Sequence, residues 1–314
     1  MMLIWRRLVA FTLMSAVNGQ VSRMDRASHL RKSQVTQDQL WAKAKIVHFS
    51  AGRLAVESGA TQLRFLSADE IAALIATGEF KSGERYFLGL DQSENEPYFA
   101  WNSSHLNIDG DIAPLGYMTL REIGGDLDEF EMELALHSVA LSNWHNTHPH
   151  CARCGATTSV SLGGAVRTCD KDKSEHYPRT DCAVIVLVRD SQDRILLGRQ
   201  AIWPEGRFSC FAGFLEPGET FEQCVQREVF EESGVQVREI NYLGSQPWPF
   251  PASIMISFEA ITDLPNSARP DGEEIVDIKW LTRADLTAQV SAGTLSLPPT
   301  MSVSRKMIDR WLFS

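Results

Sequence analysis

Gly213-Phe214-Leu215-Glu216-Pro217-Gly218-Glu219, followed after seven residues by Arg227-Glu228-Val229-Phe230-Glu231-Glu232-Ser233-Gly234-Val235, is the stretch on which the fold turns. Its first half is rich in glycine and proline and reads as a loop. Thr220 is a suitable N-cap, and Gln223 three residues on can reach back to complete a capping box. Gly234 supplies the left-handed residue that stops a helix. These signals predict a helix over residues Phe221–Ser233. At about 100° per residue, Phe221, Cys224, Val225 and Val229 form one apolar face. Glu228 and Glu232 fall in the middle of that face, and Glu231 falls at its edge. Carboxylates turned inward repel one another, and each costs several kcal/mol of desolvation unless something neutralises it. Carboxylate oxygens suit hard cations, so the pattern points to bound Mg²⁺ or Mn²⁺. Arg227 stands beside them and can pair with Glu219 or Glu216, holding the loop to the helix.

Working outward, Cys182–Val188 is a continuous, largely β-branched run bounded by Asp181 and Asp190, which reads as a buried central strand. Ile195–Leu197 and Phe208–Ala212 read as further strands, and Val303–Leu312 as a final helix. Residues 179–314 therefore read as an α/β domain. Residues 149–178 are rich in cysteine, glycine and threonine without apolar periodicity, and form a separate module. Residues 24–148 alternate strand-like runs (Lys45–Phe49, Tyr86–Leu90, Pro97–Trp101) with a helix-like run from Asp128 to Trp144, as an α+β N-terminal domain would. Within residues 1–23, Arg6-Arg7 followed by Leu8 to Val17 looks like a short signal-peptide core. It is too short to span a bilayer and its cleavage signal is poor. We read it as an extension upstream of an internal start at Met24.

The composition, 44% hydrophobic and 22% charged over 314 residues, is that of an ordinary globular protein. A net charge of −10 excludes a generally basic surface for gripping nucleic acid. A phosphorylated substrate would then need bound metal to offset the repulsion. Six cysteines do not make a small secreted scaffold, and a chain this long needs no disulfide staples, so reduced thiols in the cytoplasm are expected. No membrane association is expected.

The stretch from Gly213 to Val235 matches the pattern Gly-x5-Glu-x7-Arg-Glu-apolar-x-Glu-Glu-x-Gly-apolar at every fixed position. In this the chain resembles the Nudix hydrolases, which cut nucleoside diphosphates linked to another moiety. The resemblance implies an α/β/α sandwich with a mixed sheet, in which Glu228, Glu231 and Glu232 are catalytic and hold Mg²⁺ or Mn²⁺. Such ions neutralise phosphoryl oxygens and lower the pKa of a bound water; which glutamate serves as general base stays open. Beginning ten residues after Val235, Ser245–Ser253 carries three prolines in five residues, which forbid helix and predict a stiff extended loop presenting Trp248 and Phe250. The segment matches the one that sets NADH pyrophosphatases apart from other Nudix enzymes. It implies that Gln246, Pro247, Trp248, Pro249, Phe250, Pro251, Ala252 and Ser253 bind an NADH-like dinucleotide. By the same resemblance Ala212 and Phe214 contact adenosine. Asp271–Trp280 is similar to the family segment in which a glutamate six residues before a tryptophan joins the metal site. That residue is Glu274, with Glu273 one step away. Ser304 falls where the family has a small residue against the substrate.

Cys151-Ala152-Arg153-Cys154, followed by Cys169, presents three of the four ligands a structural Zn²⁺ requires. NADH pyrophosphatases carry a zinc ribbon between their two larger domains. Here Asp172 stands where their fourth cysteine is usual and His176 lies four residues on, leaving a Cys3Asp site, a Cys3His site or a metal-free remnant. His148 and His150 read as surface residues, and Cys182, Cys210 and Cys224 as core packing. Tyr177-Pro178-Arg179 matches a family step whose tyrosine reaches the adenine bound by the partner subunit, which implies a homodimer. The expected activity is hydrolysis of NADH and NAD⁺ to AMP and NMNH or NMN. The alternatives are removal of NAD caps from RNA 5′ ends by the same chemistry, a nucleotide-binding regulator without catalysis, and a zinc-dependent nucleic-acid adaptor resting on the ribbon alone.

Overall fold

The computed structural model describes residues 22–57, 59, 61–103 and 116–314. Residues 1–21 of the expected extension lie outside that set. Arg23, also assigned to the extension, is folded, with its guanidinium bidentate on the buried carboxylate of Asp91. The described chain divides into two compact units, residues 22–179 with Pro249–Ala252, and residues 180–248 with 253–314.

The first unit is built on a seven-stranded sheet: β1 (Met24–Asp25), β2 (Lys45–Ser50), β3 (Arg53–Ala55), β4 (Phe65–Leu66), β5 (Glu84–Asp91), β6 (Pro97–Ser103) and β7 (Tyr117–Met118). The three expected strand runs lie inside β2, β5 and β6. Asp128 caps the long helix Glu129–Thr147 by accepting from the Glu131 amide. A small antiparallel ribbon follows, of β8 (Thr158–Ser161), β9 (Val166–Cys169) and β10 (Glu175–His176). Arg167 of β9 is buried, and its guanidinium bonds the Thr158 hydroxyl and carbonyl and His145 of the long helix. Desolvating that cation is tolerable because its donors are used.

The second unit is a sandwich. The apolar run forms β11 (Asp181–Asp190), antiparallel to β12 (Ile195–Gln200) and β13 (Phe211–Phe214). β14 (Arg238–Trp248) is an edge strand paired with β15 (Ser253–Thr262), which runs parallel to β11; β16 (Ile275–Leu281) closes the other edge. The pleat sends alternate β11 residues to opposite faces. Val184, Val186 and Val188 pack with Cys224, Val225 and Val229 of the helix Phe221–Ser233. Ile185 and Leu187 pack on the other side with Leu286 and with Met307, Ile308 and Trp311 of the helix Val303–Phe313. This is the expected α/β/α sandwich with a mixed sheet.

Two local expectations are corrected. The strand placed at Phe208–Ala212 runs over Phe211–Phe214 instead; before it, Ser209 makes only an isolated bridge to Gly198. The amides on either side of Ser209 are used elsewhere: the Ser304 hydroxyl accepts the Cys210 amide at 3.2 Å and bonds the Ser209 hydroxyl at 2.8 Å, and the Ser296 carbonyl accepts the Phe208 amide at 3.1 Å. Nor is Ser245–Ser253 one extended loop. Ser245–Trp248 continues β14, Ser253 opens β15, and Pro249–Ala252 alone make the turn. An edge strand tolerates Pro247, whose missing N–H costs no ladder bond on the open side.

Candidate active site

The helix Phe221–Ser233 begins and ends as its caps dictate. Thr220 and Gln223 exchange both capping-box bonds, and Gly234 sits at φ 67°. The helix therefore aims its carboxylates in the expected order. Glu232 is 4% exposed, the Glu228 side chain is 14% exposed, and that of Glu231, at the edge, is 58% exposed. Glu232 accepts the Ala212 amide at 3.2 Å. Burial first, then the charge of Glu274, with smaller contributions from Glu228 and Asp271, pushes its carboxyl up to about 9. Burial likewise raises Glu228, against the pull of Arg227. Glu274 is the strongest charge acting on Glu232, and Gln200 donates to it at 2.8 Å.

One cation organises the loop. Arg227 forks onto Glu219 at 2.7 and 2.9 Å, reaches Glu228 at 2.8 Å and Glu231 at 3.1 Å, and donates to the Phe214 carbonyl at 2.9 Å. Of the two partners considered for it, Glu219 is the one engaged, and Arg227 holds that carboxyl down to about 2. A planar guanidinium can satisfy these directions together, where an ammonium could not. The opening glycine of the loop has a steric reason of its own. A Cβ on Gly213 would fall 1.8 Å from Cδ of Glu228, so the strand can pass beneath that carboxylate only without a side chain. Gly213→Ala is accordingly expected to displace Glu228 and lower turnover at least tenfold, with a raised divalent-metal requirement and little change in zinc content. Metal-titrated kinetics beside a melting curve would check this.

The carboxylates Glu228, Glu231, Glu232 and Glu274 are set against the single guanidinium of Arg227, and Glu232 has no cationic contact among the described residues. Such an all-oxygen, negatively charged and partly desolvated donor set fits a hard divalent cation, whose charge would reverse the upward pressure on Glu232.

The other candidate residues divide. Phe214 is 57% exposed and presents a bare ring. Ala212 spends its amide on Glu232. Gln246 uses both ends of its amide internally, donating to the Met301 carbonyl at 2.7 Å and accepting the Val303 amide at 2.7 Å, so it pins the start of the last helix. Ser304 is 1% exposed and bonded as described above. Pro247 is exposed, Trp248 half-buried and Ser253 buried. In the turn, Pro249 is buried, Phe250 and Ala252 half-buried and Pro251 exposed. Sequence reading missed what holds this turn. Asn143 donates to the carbonyls of Pro249 at 2.9 Å and Pro251 at 3.3 Å, and the Arg121 guanidinium lies 4.0 Å from the Phe250 ring centroid. No local signal in the sequence links positions so far apart. Tyr177 is 64% exposed, its hydroxyl donating to Glu175.

In the ribbon, one ligand atom from each of Cys151, Cys154, Cys169 and Asp172 lies within 4.8 Å of all the others. Cys154 and Cys169 sulfurs are 3.5 Å apart, close to the edge of a tetrahedron with Zn–S bonds of about 2.3 Å. The fourth member is Asp172; His176 instead lies against the Ser174 hydroxyl. His150 is exposed, whereas His148 is half-buried, with its ring on the Trp144 carbonyl. Cys210 and Cys224 are buried, and Cys182 is partly so. No helix among the described residues is long and apolar enough to cross a membrane.

Comparison with known proteins adds three domain matches: a NUDIX domain at residues 179–301, an NADH pyrophosphatase zinc ribbon domain at 146–177, and an NADH pyrophosphatase-like rudimentary NUDIX domain at 43–144. A NAD-capped RNA hydrolase NudC from Mycobacterium bovis is 36% identical over 296 residues, covering 91% of this chain and 92% of that one. The human NAD-capped RNA hydrolase NUDT12 is 35% identical over 198 residues, covering 59% of this chain and 43% of its own. Among solved structures, a NUDIX hydrolase from Nitrosomonas europaea is 21% identical with a TM-score of 0.35, over 48% of this chain and 96% of that one.

Proposed function

Because the chain belongs to the NudC family of Nudix hydrolases, we propose that it hydrolyses the central pyrophosphate of NADH and NAD⁺, water entering and AMP leaving with NMNH or NMN. The observation that carries this reading is the buried Glu232, whose carboxyl is raised by burial and by the charges of Glu274 and Glu228, a cost that a divalent metal would offset. Glu228, Glu231, Glu232 and Glu274 would hold Mg²⁺ or Mn²⁺. Bound there, the metal supplies charge neutralisation at the phosphoryl oxygens and a more acidic water. The chain's own part is positional. Gly213 leaves room for Glu228, the Ala212 amide fixes Glu232, and Arg227 fastens the loop. The exposed ring of Phe214 offers a flat surface to a nucleobase. A carboxylate in the cluster takes the proton of the attacking water.

The relatives' names favour a second substrate, the NAD cap at the 5′ end of RNA, whose scissile bond is the same. The test is incubation of the purified protein with NADH, and separately with NAD-capped RNA, each with Mg²⁺ or Mn²⁺ and chromatography of the products. AMP from NADH supports the free dinucleotide, and a higher kcat/KM on capped RNA moves the physiological role to decapping. Turnover of neither substrate with either metal would sink the reading. The exposed Tyr177 suits a homodimer with shared sites, readable by light scattering, and six free cysteines suit a cytoplasmic setting.

The ribbon's donor set is that of a structural zinc. The protein is expected to purify with one Zn²⁺ per chain. Asp172→Ala should lower that content and the melting temperature, while Asp172→Cys should slow zinc release to a chelator, both read by metal analysis.

A further inference from the structure

The N-terminal unit holds a cavity of about 230 Å³ lined by Arg31, Phe87, His137, Leu141, Ala165 and Pro178. Its polar wall is cationic and poorly compensated. Arg31 is partly buried, and its Nε is sealed from solvent with no acceptor. Among the described residues Arg31 has no carboxylate partner; its Nη2 donates to the Arg26 carbonyl at 3.1 Å. The Arg26 guanidinium in turn meets Nδ1 of His137. The acid facing this group is Glu133, 3.7 Å from Arg26 and also accepting from the Ser22 hydroxyl. Burial lowers the proton affinity of Arg26, Arg31 and His137, and both arginines press further on His137. Gathering cations in a partly desolvated place costs free energy unless an anion joins them.

We propose that this cavity is a phosphate-binding site, formed by Arg31 and His137 with Arg26 behind them. The volume is below the roughly 300–1,000 Å³ of pockets for drug-sized ligands, so the occupant is a small oxyanion group rather than a nucleoside. A phosphoryl group offers oxygens in several directions, which matches donors arriving from a guanidinium fork and an imidazole. The apolar walls Phe87, Leu141, Ala165 and Pro178 strengthen that attraction by keeping water away. These residues belong to the N-terminal unit and take no part in the carboxylate cluster, so the site stands whatever the substrate of that cluster proves to be. Two sources can supply the group: free inorganic phosphate, or the phosphodiester of an RNA chain.

The test is calorimetric titration of the zinc-loaded protein without added Mg²⁺ or Mn²⁺, at fixed ionic strength. Inorganic phosphate is one titrant, and an RNA pentamer without a terminal phosphate is the other. At least one is expected to bind the wild type and to bind Arg31→Gln at least tenfold more weakly, with Arg31→Lys between them. Binding of phosphate alone assigns the free ion, and binding of the pentamer assigns the RNA backbone. NADH hydrolysis should be unchanged in Arg31→Gln, which shows that the variant folds; if it does not fold, His137→Gln carries the same comparison. No binding of either titrant to the wild type, or equal binding to wild type and variant, overturns the proposal.

Discussion

Glu232→Gln is expected to lose about a thousandfold in kcat and yet to melt at a higher temperature than the wild type in chelator. The loss follows from removing a charged ligand, since a metal in such a site supplies several kcal/mol of transition-state stabilisation and each 1.36 kcal/mol is tenfold in rate. The gain follows from burial. The Glu232 carboxyl is raised from an ordinary 4.5 to about 9, so its contribution to folding is complete below pH 4.5 and is lost progressively as pH climbs towards 9. At neutral pH the wild type without divalent metal has forfeited on the order of 3 kcal/mol by this route. Glutamine has the same shape, still accepts the Ala212 amide and carries no charge to bury. With saturating Mg²⁺ or Mn²⁺ the order should reverse, because bound metal stabilises only the chain that can hold it. Melting curves in chelator and in metal, beside single-turnover rates, measure all three effects. A variant that keeps its activity, or one that melts lower in chelator, would show that Glu232 is an ordinary buried acid.

How far such an arrangement can be read in advance depends on whether its causes are local. The helix Phe221–Ser233 was legible to the residue because Thr220, Gln223 and Gly234 act within one turn of its ends. The inward placement of Glu228 and Glu232 then follows from helical spacing alone. β11 was legible because a strand covered on both faces has to be apolar throughout. The errors lie where a distant side chain intervenes. Ser304 reaches back 94 residues to the Cys210 amide, in a stretch that composition alone reads as strand. Gln246 and Ser304, both expected against the substrate, also carry internal bonds that their positions in the sequence do not announce: Gln246 holds the start of the last helix and Ser304 meets the Ser209 hydroxyl. A sequence shows that an amide or hydroxyl is present, and only the fold shows whether it is already occupied. Asn143 is the converse case, an ordinary polar residue in the long helix whose role appears only when the turn at Pro249–Ala252 is brought to it. Gly213 reads as one more loop glycine until the Glu228 carboxylate is seen occupying the place of its missing Cβ.

Arg227→Ala is expected to fail in the opposite manner from Glu232→Gln, losing stability and activity together whether or not metal is present. Its side chain is 24% exposed, and its guanidinium is shared among Glu219, Glu228, Glu231 and the Phe214 carbonyl. Removing it leaves carboxylates facing one another with no cation between them. Breaking a fully buried pair costs about 3–5 kcal/mol; partial exposure here reduces the expected loss to about 2 kcal/mol, read as a lower melting temperature in chelator. Turnover should fall on the order of a hundredfold, because Glu228 loses one of its two fixed sides while the Gly213 strand still constrains the other. Arg227→Lys separates charge from geometry. An ammonium restores part of the electrostatic support but cannot fork onto Glu219 while also reaching Glu228 and Phe214. Lysine should therefore recover much of the melting temperature and little of the rate, with the deficit persisting at saturating metal. Wild-type kcat in Arg227→Lys would mean that net charge alone organises the loop, and the positional role assigned to the guanidinium would fall with it.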